Sequence, residues 1–118
     1  MKKKIREQLI ALIGQEVTIY IDRPIGIRHP KYKDSVYPIN YGYIKEIIAE
    51  DNEYQDAYLI GVEEMVEAYK GKVYAIIERE NDNEDKLIIV PKNMEFSIEE
   101  IKEKIDFQEK YFRYKIVK

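Results

Sequence analysis

The chain has 118 residues and a formal net charge of -3, with 45% hydrophobic and 36% charged residues. This size and composition predict one domain spanning residues 1–118 with a single core, and the acidic balance disfavours nucleic acid and anionic membranes as partners. Because there is no cysteine and only one histidine, disulfides, thiolate zinc sites and cysteine nucleophiles are excluded, so any chemistry must come from carboxylates, Lys, Arg and Tyr.

The start of the chain predicts neither secretion nor membrane insertion. Residues 2–4 are basic, but the apolar stretch that follows is interrupted by charge and lacks a cleavage pattern. No apolar run approaches the ~20 residues that a membrane span requires. We therefore expect a soluble, cytoplasmic protein.

A short helix and a strand are predicted near the N-terminus. Ile5 and Leu9 share a helical face and Gly14 follows, so a helix is expected from about residue 3 to 13. Residues 17–21 are β-branched and aromatic, which predicts a strand, and they lead into a loop punctuated by proline and glycine. Further strands are predicted at residues 41–48, 56–61, 72–78 and 86–90.

The second half of the chain adds a hairpin and a helix. Residues 81–85 have turn chemistry, so the last two of these strands should pair. Ser97 and Glu100 have the spacing of a capping box, and apolar residues recur at helical spacing after them. The whole pattern predicts a mainly β fold with flanking helices: a small five-stranded antiparallel barrel plus a C-terminal helix, with a β-sandwich as the alternative topology.

Two groups of carboxylates are candidates for a metal site. Asp51 and Glu53 have the same-side spacing of an extended chain, and Asp56 lies at the entrance of the next strand. Three carboxylates this close would take up protons unless a cation kept them ionised, and ligands that are all oxygen favour Mg²⁺ or Mn²⁺ over zinc. Solvated acidic turns are the alternative interpretation. The second group lies in the predicted hairpin and consists of Glu80, Asp82, Glu84 and Asp85.

Basic and tyrosine residues after the first strand are candidates for binding phosphate. Lys31 or Lys33 beside a tyrosine hydroxyl provides a point charge and a directional donor. Tyr41 and Tyr43 are expected on the same face of a strand, and Gly42 between them permits a close backbone approach. Ordinary strand tyrosines with hydroxyls at the barrel rim are the alternative.

In this order, the segments resemble the soluble family I inorganic pyrophosphatases. The tyrosine-rich segment followed closely by the acidic loop is the most specific part of the resemblance. The resemblance covers residues 17–111 and rests on Lys31-Tyr32, Tyr37-Pro38-Ile39-Asn40-Tyr41-Gly42-Tyr43-Ile44, Asp51-x-Glu53-x-x-Asp56, Glu84-Asp85-Lys86-Leu87-Ile88-Ile89-Val90-Pro91 and Phe107-Gln108-Glu109-Lys110-Tyr111.

The resemblance implies an OB-like five-stranded barrel that holds two or more Mg²⁺ ions and hydrolyses pyrophosphate with an activated water. It implies catalytic roles for Glu53, Asp56 and Tyr41, with Asp56 bridging two metals and Glu53 activating the water. The implied metal ligands are Asp51, Glu53, Asp56, Glu80 and either Glu84 or Asp85, and the implied phosphate contacts are Lys31, Tyr41, Lys86 and Tyr111.

The chain also departs from the family pattern. Tyr54 stands where the acidic loop has a proline, the family's first-strand glutamate corresponds to Tyr20, and Phe112 replaces a lysine. The hairpin that carries a phosphate-binding arginine is shortened, so Arg23 or Arg28 is the candidate replacement. These changes predict that the activity is reduced or altered.

Two other functions stay open. A non-catalytic module on the same barrel would bind a metal or a phosphate metabolite without turnover, whereas single-stranded nucleic acid binding through the 11 tyrosines is opposed by the acidic charge. A small-molecule phosphate is the expected partner. An exposed apolar face on residues 114–118 would favour a homo-oligomer.

Overall fold

The secondary structure follows the predicted order of elements. The computed structural model describes residues 2–31, 33–49, 51–80 and 84–118, with side chains from residue 5 onward. Its elements are α1 (Lys2–Ile10), β1 (Glu16–Arg23), β2 (Asn40–Ile48), β3 (Tyr54–Leu59), β4 (Ala68–Arg79), β5 (Lys86–Val90), α2 (Ile98–Glu109) and β6 (Tyr114–Val117).

Five of the strands close into a barrel. Their order is β1-β2-β3-β5-β4, and β4 pairs back onto β1 through Glu16 opposite Lys72 and Tyr20 opposite Ala68. The predicted barrel is therefore confirmed. The barrel is mixed rather than antiparallel throughout, because β5 pairs antiparallel with β4 on one side and parallel with β3 on the other.

The sixth strand extends the sheet at the far end of β4. Tyr114 lies opposite Arg79, and Val117 lies opposite Ile76. Residues Tyr114–Val117 therefore form an edge strand. The pairing places the end of α2, which immediately precedes β6, beside the end of β4.

The apolar side chains form two clusters on opposite faces of the barrel wall. Strand β5 contributes to both, with Leu87 and Ile89 in one cluster and Ile88 and Val90 in the other. This alternation is the two-residue period of a strand that is buried on both faces. The first cluster fills the barrel and the second packs against α2 through Ile101 and other helical residues.

Helix α2 begins with the predicted capping box, whereas α1 is shorter than predicted. Ser97 Oγ accepts the Glu100 N–H at 3.1 Å while Glu100 Oε1 accepts the Ser97 N–H at 2.8 Å, so the predicted capping box begins α2. Helix α1 ends at Ile10 rather than residue 13, because the chain tightens into turns that lead to Gly14. Gly14 has a φ of 91° and donates its N–H to Val73 O at 2.7 Å.

Gly42 lies where the backbones of β1 and β2 approach so closely that no side chain is tolerated. A Cβ at this position would lie 1.8 Å from the carbonyl oxygen of Tyr20. The close approach predicted for this glycine is therefore confirmed. Among the described residues, no helix is both long enough and apolar enough to cross a membrane.

Candidate active site

A pocket of about 370 Å³ opens where β1, β2, β3 and β5 meet the C-terminal end of α2. Charged and hydrogen-bonding side chains dominate its lining, which suits a small polar anion better than an apolar ligand. The lining residues are Asp22, Arg23, His29, Pro30, Lys31, Tyr41, Asp56, Arg79, Glu84, Lys86, Gln108 and Phe112.

Lys86 is the cationic centre of this pocket. Its ammonium donates to Asp56 Oδ2 at 2.8 Å, to Tyr41 Oη at 2.9 Å and to Glu84 Oε1 at 3.4 Å. Lys86 is 3% exposed, and a buried ammonium needs such partners to offset the loss of hydration. The structure thus brings together four of the predicted site residues from three strands and the turn before β5.

Tyr41 provides a hydroxyl that stays protonated. Burial raises the pKa of Tyr41 well above its usual 10, and the neighbouring Asp56 carboxylate raises it further. The phenol is therefore neutral at physiological pH and can donate a hydrogen bond to an oxyanion. The Lys86 ammonium next to this hydroxyl pairs a charge with a directional donor, an arrangement that the sequence predicted for Lys31 or Lys33 instead.

The first strand contributes Asp22 rather than residue 20. Tyr20 lies outside the lining of the pocket, where its ring stacks on Tyr43 at 5.9 Å between centroids. Asp22 lines the pocket, and partial burial followed by the charge of Asp56 raises its pKa, while Arg23 opposes the shift. Sequence reasoning missed Asp22 because the register between β1 and β2 shifts between residues 21 and 23. Such an irregularity changes which side chains of the strand face the pocket, and the sequence pattern does not report it.

Of the two arginines considered as replacements, Arg23 lines the pocket. Its Nη1 donates to Tyr37 Oη at 3.1 Å, and this hydrogen bond raises the pKa of Arg23. Arg28 is exposed, lies outside the lining and donates to the carbonyl oxygen of Lys33 at 2.6 Å. Of these two arginines, Arg23 is therefore the one placed to contact a ligand in the pocket.

The loop carboxylates Asp51 and Glu53 lie outside the lining of the pocket. Both are exposed, and Asp51 Oδ1 accepts the Glu53 N–H at 3.0 Å across Asn52, whose φ is 67°. This is a local turn held by its own side chain. Asp56 alone of the predicted trio faces Lys86, because it lies inside β3.

The hairpin carboxylates have separate environments. Asp85 is buried and accepts two hydrogen bonds from Arg6, at 2.7 and 3.0 Å, which ties α1 to the barrel. Glu80 is exposed at the end of β4, where its N–H donates to Arg113 O at 2.8 Å. Glu84 is the hairpin carboxylate that lines the pocket, and Asp82 falls outside the described residues.

Arg79 lines the pocket as well, and sequence reasoning gave it no role. Its Nε and Nη2 donate to the two oxygens of Glu109 at 2.9 and 2.7 Å, and its guanidinium lies 3.7 Å from the centre of the Phe112 ring. Both members of the ion pair are buried. A pattern search could not pair them, since they are separated by 30 residues.

A chain of hydrogen bonds connects this ion pair to the loop that carries Lys31. The Lys31 N–H donates to His29 Nδ1 at 3.0 Å, so His29 Nε2 carries the proton and donates to Gln108 Oε1 at 2.7 Å. Gln108 Nε2 donates to Tyr58 Oη at 2.5 Å, and Tyr58 donates to Glu109 Oε2 at 2.6 Å. Through these two hydrogen bonds, His29 fixes the backbone of Lys31 and connects it to Gln108.

Tyr111 lies in an adjoining cavity. Its side chain is exposed, and it lines a cavity of about 540 Å³ together with Lys31, which lines both cavities. Of the four predicted phosphate contacts, the structure therefore groups Lys31, Tyr41 and Lys86 in the first pocket and places Tyr111 beside it.

The carboxylates of the pocket offer oxygen ligands, the donor type that Mg²⁺ and Mn²⁺ prefer. Asp22, Asp56 and Glu84 face one cavity, and the pKa of Asp22 is raised mainly by partial burial, with a smaller contribution from the charge of Asp56. They are not gathered as a chelating cluster: within residues 2–31, 33–49, 51–80 and 84–118, no three His, Asp or Glu side chains are close enough to hold a metal ion.

This fold and pocket define a small β-barrel protein with a polar pocket lined by cationic, carboxylate and hydroxyl side chains. The sequence matches the family model of the inorganic pyrophosphatases over residues 14–117. The chain belongs to the inorganic pyrophosphatase family, and the predicted membership is confirmed.

Solved structures of inorganic pyrophosphatases are similar in fold. The enzyme from Helicobacter pylori has a TM-score of 0.60 at 16% identity, with 89% of this chain and 84% of that chain covered. The protein from Ehrlichia chaffeensis has a TM-score of 0.60 at 16% identity over 89% and 88%. The one from Coxiella burnetii has a TM-score of 0.59 at 16% identity over 88% and 84%. A comparison with curated proteins gave no significant match.

Proposed function

We propose that this protein hydrolyses inorganic pyrophosphate to two orthophosphates in the pocket around Lys86. The observation that carries the proposal is the junction of Lys86 with Tyr41, Asp56 and Glu84 at the centre of a cavity that Lys31 also lines, in a chain that belongs to the inorganic pyrophosphatase family. A cavity of about 370 Å³ has room for a ligand of this size.

The cationic side chains bind and orient the substrate. Lys31, Arg23 and Lys86 neutralise phosphate oxygens, and the neutral Tyr41 hydroxyl donates to one of them. Water attacks one phosphorus: a new bond forms between its oxygen and that phosphorus, and the bond to the bridging oxygen breaks with its electron pair. Holding both phosphates in a fixed geometry lowers the entropic part of the activation free energy of hydrolysis.

The carboxylates that face the pocket are placed to accept the proton that the water loses. Asp22 and Asp56 both line the cavity, and the raised pKa of Asp22 makes it a better proton acceptor than an ordinary aspartate. Glu53, to which the resemblance gave this role, lies on the exposed loop. We therefore assign proton transfer to Asp22 or Asp56.

We propose Mg²⁺ as the cofactor, with Mn²⁺ as a substitute. Asp22, Asp56 and Glu84 are the carboxylates that line the pocket, and they would have to draw together to hold the ion, whereas Asp85 is engaged by Arg6. When bound, the ion neutralises phosphate charge and makes water more acidic. As a further part of the proposal, the protein acts on a small-molecule phosphate in the cytoplasm.

Hydrolysis in water enriched in ¹⁸O tests the proposed reaction. Attack of water on phosphorus predicts that, of the two orthophosphates formed, one carries a single solvent oxygen, which phosphorus NMR resolves. Asp56→Asn should abolish the conversion. Release of phosphate without solvent label, or equal release by Asp56→Asn, would refute the mechanism.

A second candidate is a binding module without turnover. It is favoured by the exposed positions of Asp51 and Glu53 and by the buried Arg79, which adds a further cation to the lining. Such a module predicts that pyrophosphate or Mg²⁺ raises the thermal midpoint while no phosphate is released.

A further inference from the structure

Helix α1 precedes the part of the chain that matches the pyrophosphatase family, which begins at residue 14. The helix is nevertheless packed on the barrel. Leu9 is buried and belongs to the same apolar cluster as Leu87 and Ile89 of β5, and Ile5 packs against this cluster one turn earlier. This packing brings Arg6, the neighbour of Ile5, to the residue that immediately precedes β5.

Arg6 holds that residue, Asp85, by its side chain. Arg6 Nε donates to Asp85 Oδ2 at 2.7 Å, and Arg6 Nη2 donates to Asp85 Oδ1 at 3.0 Å and to the carbonyl oxygen of Arg79 at 2.7 Å. The Asp85 carboxylate also accepts the Arg79 N–H at 3.1 Å. Since the Asp85 side chain is buried and the guanidinium engages both of its oxygens, the pair fixes the orientation of Asp85 as well as its distance from α1.

The backbone of Asp85 is tied to β3 from the other side. Gln55 is buried, and its Nε2 donates to the carbonyl oxygen of Asp85 at 2.7 Å and to that of Asp56 at 2.9 Å. Lys86 follows Asp85 in the chain, and Asp56 follows Gln55. The contacts of Asp85 therefore fix the two backbone positions that bring Lys86 Nζ within 2.8 Å of Asp56 Oδ2 at the centre of the pocket.

We propose that Arg6 is a positioning residue of the active site, which acts through Asp85 to set the Lys86 ammonium against Asp56. The inference rests on the proposed function for the reaction in this pocket. Without the guanidinium, Asp85 would keep the Arg79 N–H but lose its counter-charge, and a buried carboxylate in that state moves toward water or another cation. Such a movement displaces the adjoining Lys86, and a misplacement of about 1 Å can cost about 100-fold in rate.

Steady-state kinetics of a double-mutant cycle with Arg6→Gln and Asp85→Asn test this role at temperatures where every variant is folded. Each single variant should lower kcat/KM for pyrophosphate by about 10- to 100-fold. The double variant should lose no more than the worse single variant, because both changes break the same link. The control Lys102→Gln removes the same charge at an exposed position on α2 outside the pocket and should keep the wild-type rate. Additive losses in the cycle, or an equal loss in Lys102→Gln, would overturn the proposal.

NMR of ¹⁵N-labelled lysine ammonium groups gives a readout that does not depend on turnover. The signal of Lys86, assigned with Lys86→Arg, should shift in Arg6→Gln and stay in place in Lys102→Gln. An unchanged Lys86 signal in Arg6→Gln would overturn the proposal. If the signal shifts but the wild type hydrolyses no pyrophosphate, the positioning by Arg6 stands and the proposed function falls. If the wild type and Arg6→Gln hydrolyse pyrophosphate equally well, the proposed function stands and the positioning falls.

Discussion

Arg79 and Glu109 form a bidentate ion pair between the last residue of β4 and the last residue of α2. The Glu109 carboxylate is fully buried and also accepts the Tyr58 hydroxyl at 2.6 Å. The pair joins the C-terminal helix to the barrel next to the pocket. It also explains how a buried carboxylate and a buried guanidinium are tolerated, because each satisfies the other.

Glu109→Gln should destabilise the protein by about 3–5 kcal/mol, since removing one partner leaves a buried guanidinium without its counter-charge. Urea unfolding followed by circular dichroism measures the change. Glu103→Gln, an exposed change on the same helix, is the control and should have almost no effect. The double variant Arg79→Met/Glu109→Leu should recover much of the lost stability, and a loss larger than that of Glu109→Gln would contradict this explanation.

Tyr41→Phe should lower kcat/KM for pyrophosphate by about 10- to 100-fold, because it removes one hydrogen bond to a charged group. Since the pKa of Tyr41 lies well above 10, the wild-type rate should show no loss from ionisation of this phenol up to pH 10. Tyr43→Phe, a neighbouring tyrosine outside the pocket lining, is the control. An equal loss in both variants would show that the effect is not local to the pocket.

Asp22→Asn should stabilise the protein at pH 7 but not at pH 3. Partial burial and the charge of Asp56 raise the pKa of Asp22 above its usual 3.8 despite the opposing Arg23, so the folded state holds a proton that the unfolded state has lost. Stability therefore falls as the pH rises from about 3.8 through the raised pKa. Urea unfolding of both proteins across this range measures the effect.

The same substitution should reduce pyrophosphate hydrolysis. A gain in stability that accompanies a loss of activity is the behaviour of a carboxylate retained for function. If Asp22→Asn is less stable than the wild type at pH 7, the raised pKa is wrong. If its activity is unchanged, Asp22 has no part in the reaction.

His29→Phe should raise KM for pyrophosphate severalfold with a smaller effect on kcat. The phenyl ring can keep the stacking on Tyr37, where the ring centroids are 5.1 Å apart, but it loses the hydrogen bonds to Lys31 N–H and Gln108 Oε1. Steady-state kinetics measure the split between KM and kcat. An unchanged KM would mean that His29 does not position Lys31.

Local patterns in the sequence predicted the elements well. The capping box of Ser97 and Glu100, the strand at Lys86–Val90 and the glycine crossing at Gly42 each depend on neighbouring residues or on one steric constraint, and all three are present. The parallel pairing of β3 with β5 was missed because it depends on how distant strands close the barrel.

The same distinction between local patterns and distant contacts explains why only part of the site was predicted. Lys86, Asp56 and Tyr41 lie on strands whose faces follow a two-residue period, so their grouping could be foreseen. Asp51 and Glu53 belong to a turn in which Asn52 has a φ of 67°, and spacing alone does not fix the direction of side chains in such a turn. The ion pair of Arg6 with Asp85 spans 79 residues, a distance that no local pattern reports.

The most direct test of the proposed function is orthophosphate release from pyrophosphate by the wild type and by Asp56→Asn, from EDTA through rising concentrations of Mg²⁺ or Mn²⁺. We expect the rate of phosphate release to depend on the metal. In Asp56→Asn this rate should fall by roughly two orders of magnitude or more. No release above that of Asp56→Asn at any metal concentration would contradict the proposal that this pocket hydrolyses pyrophosphate.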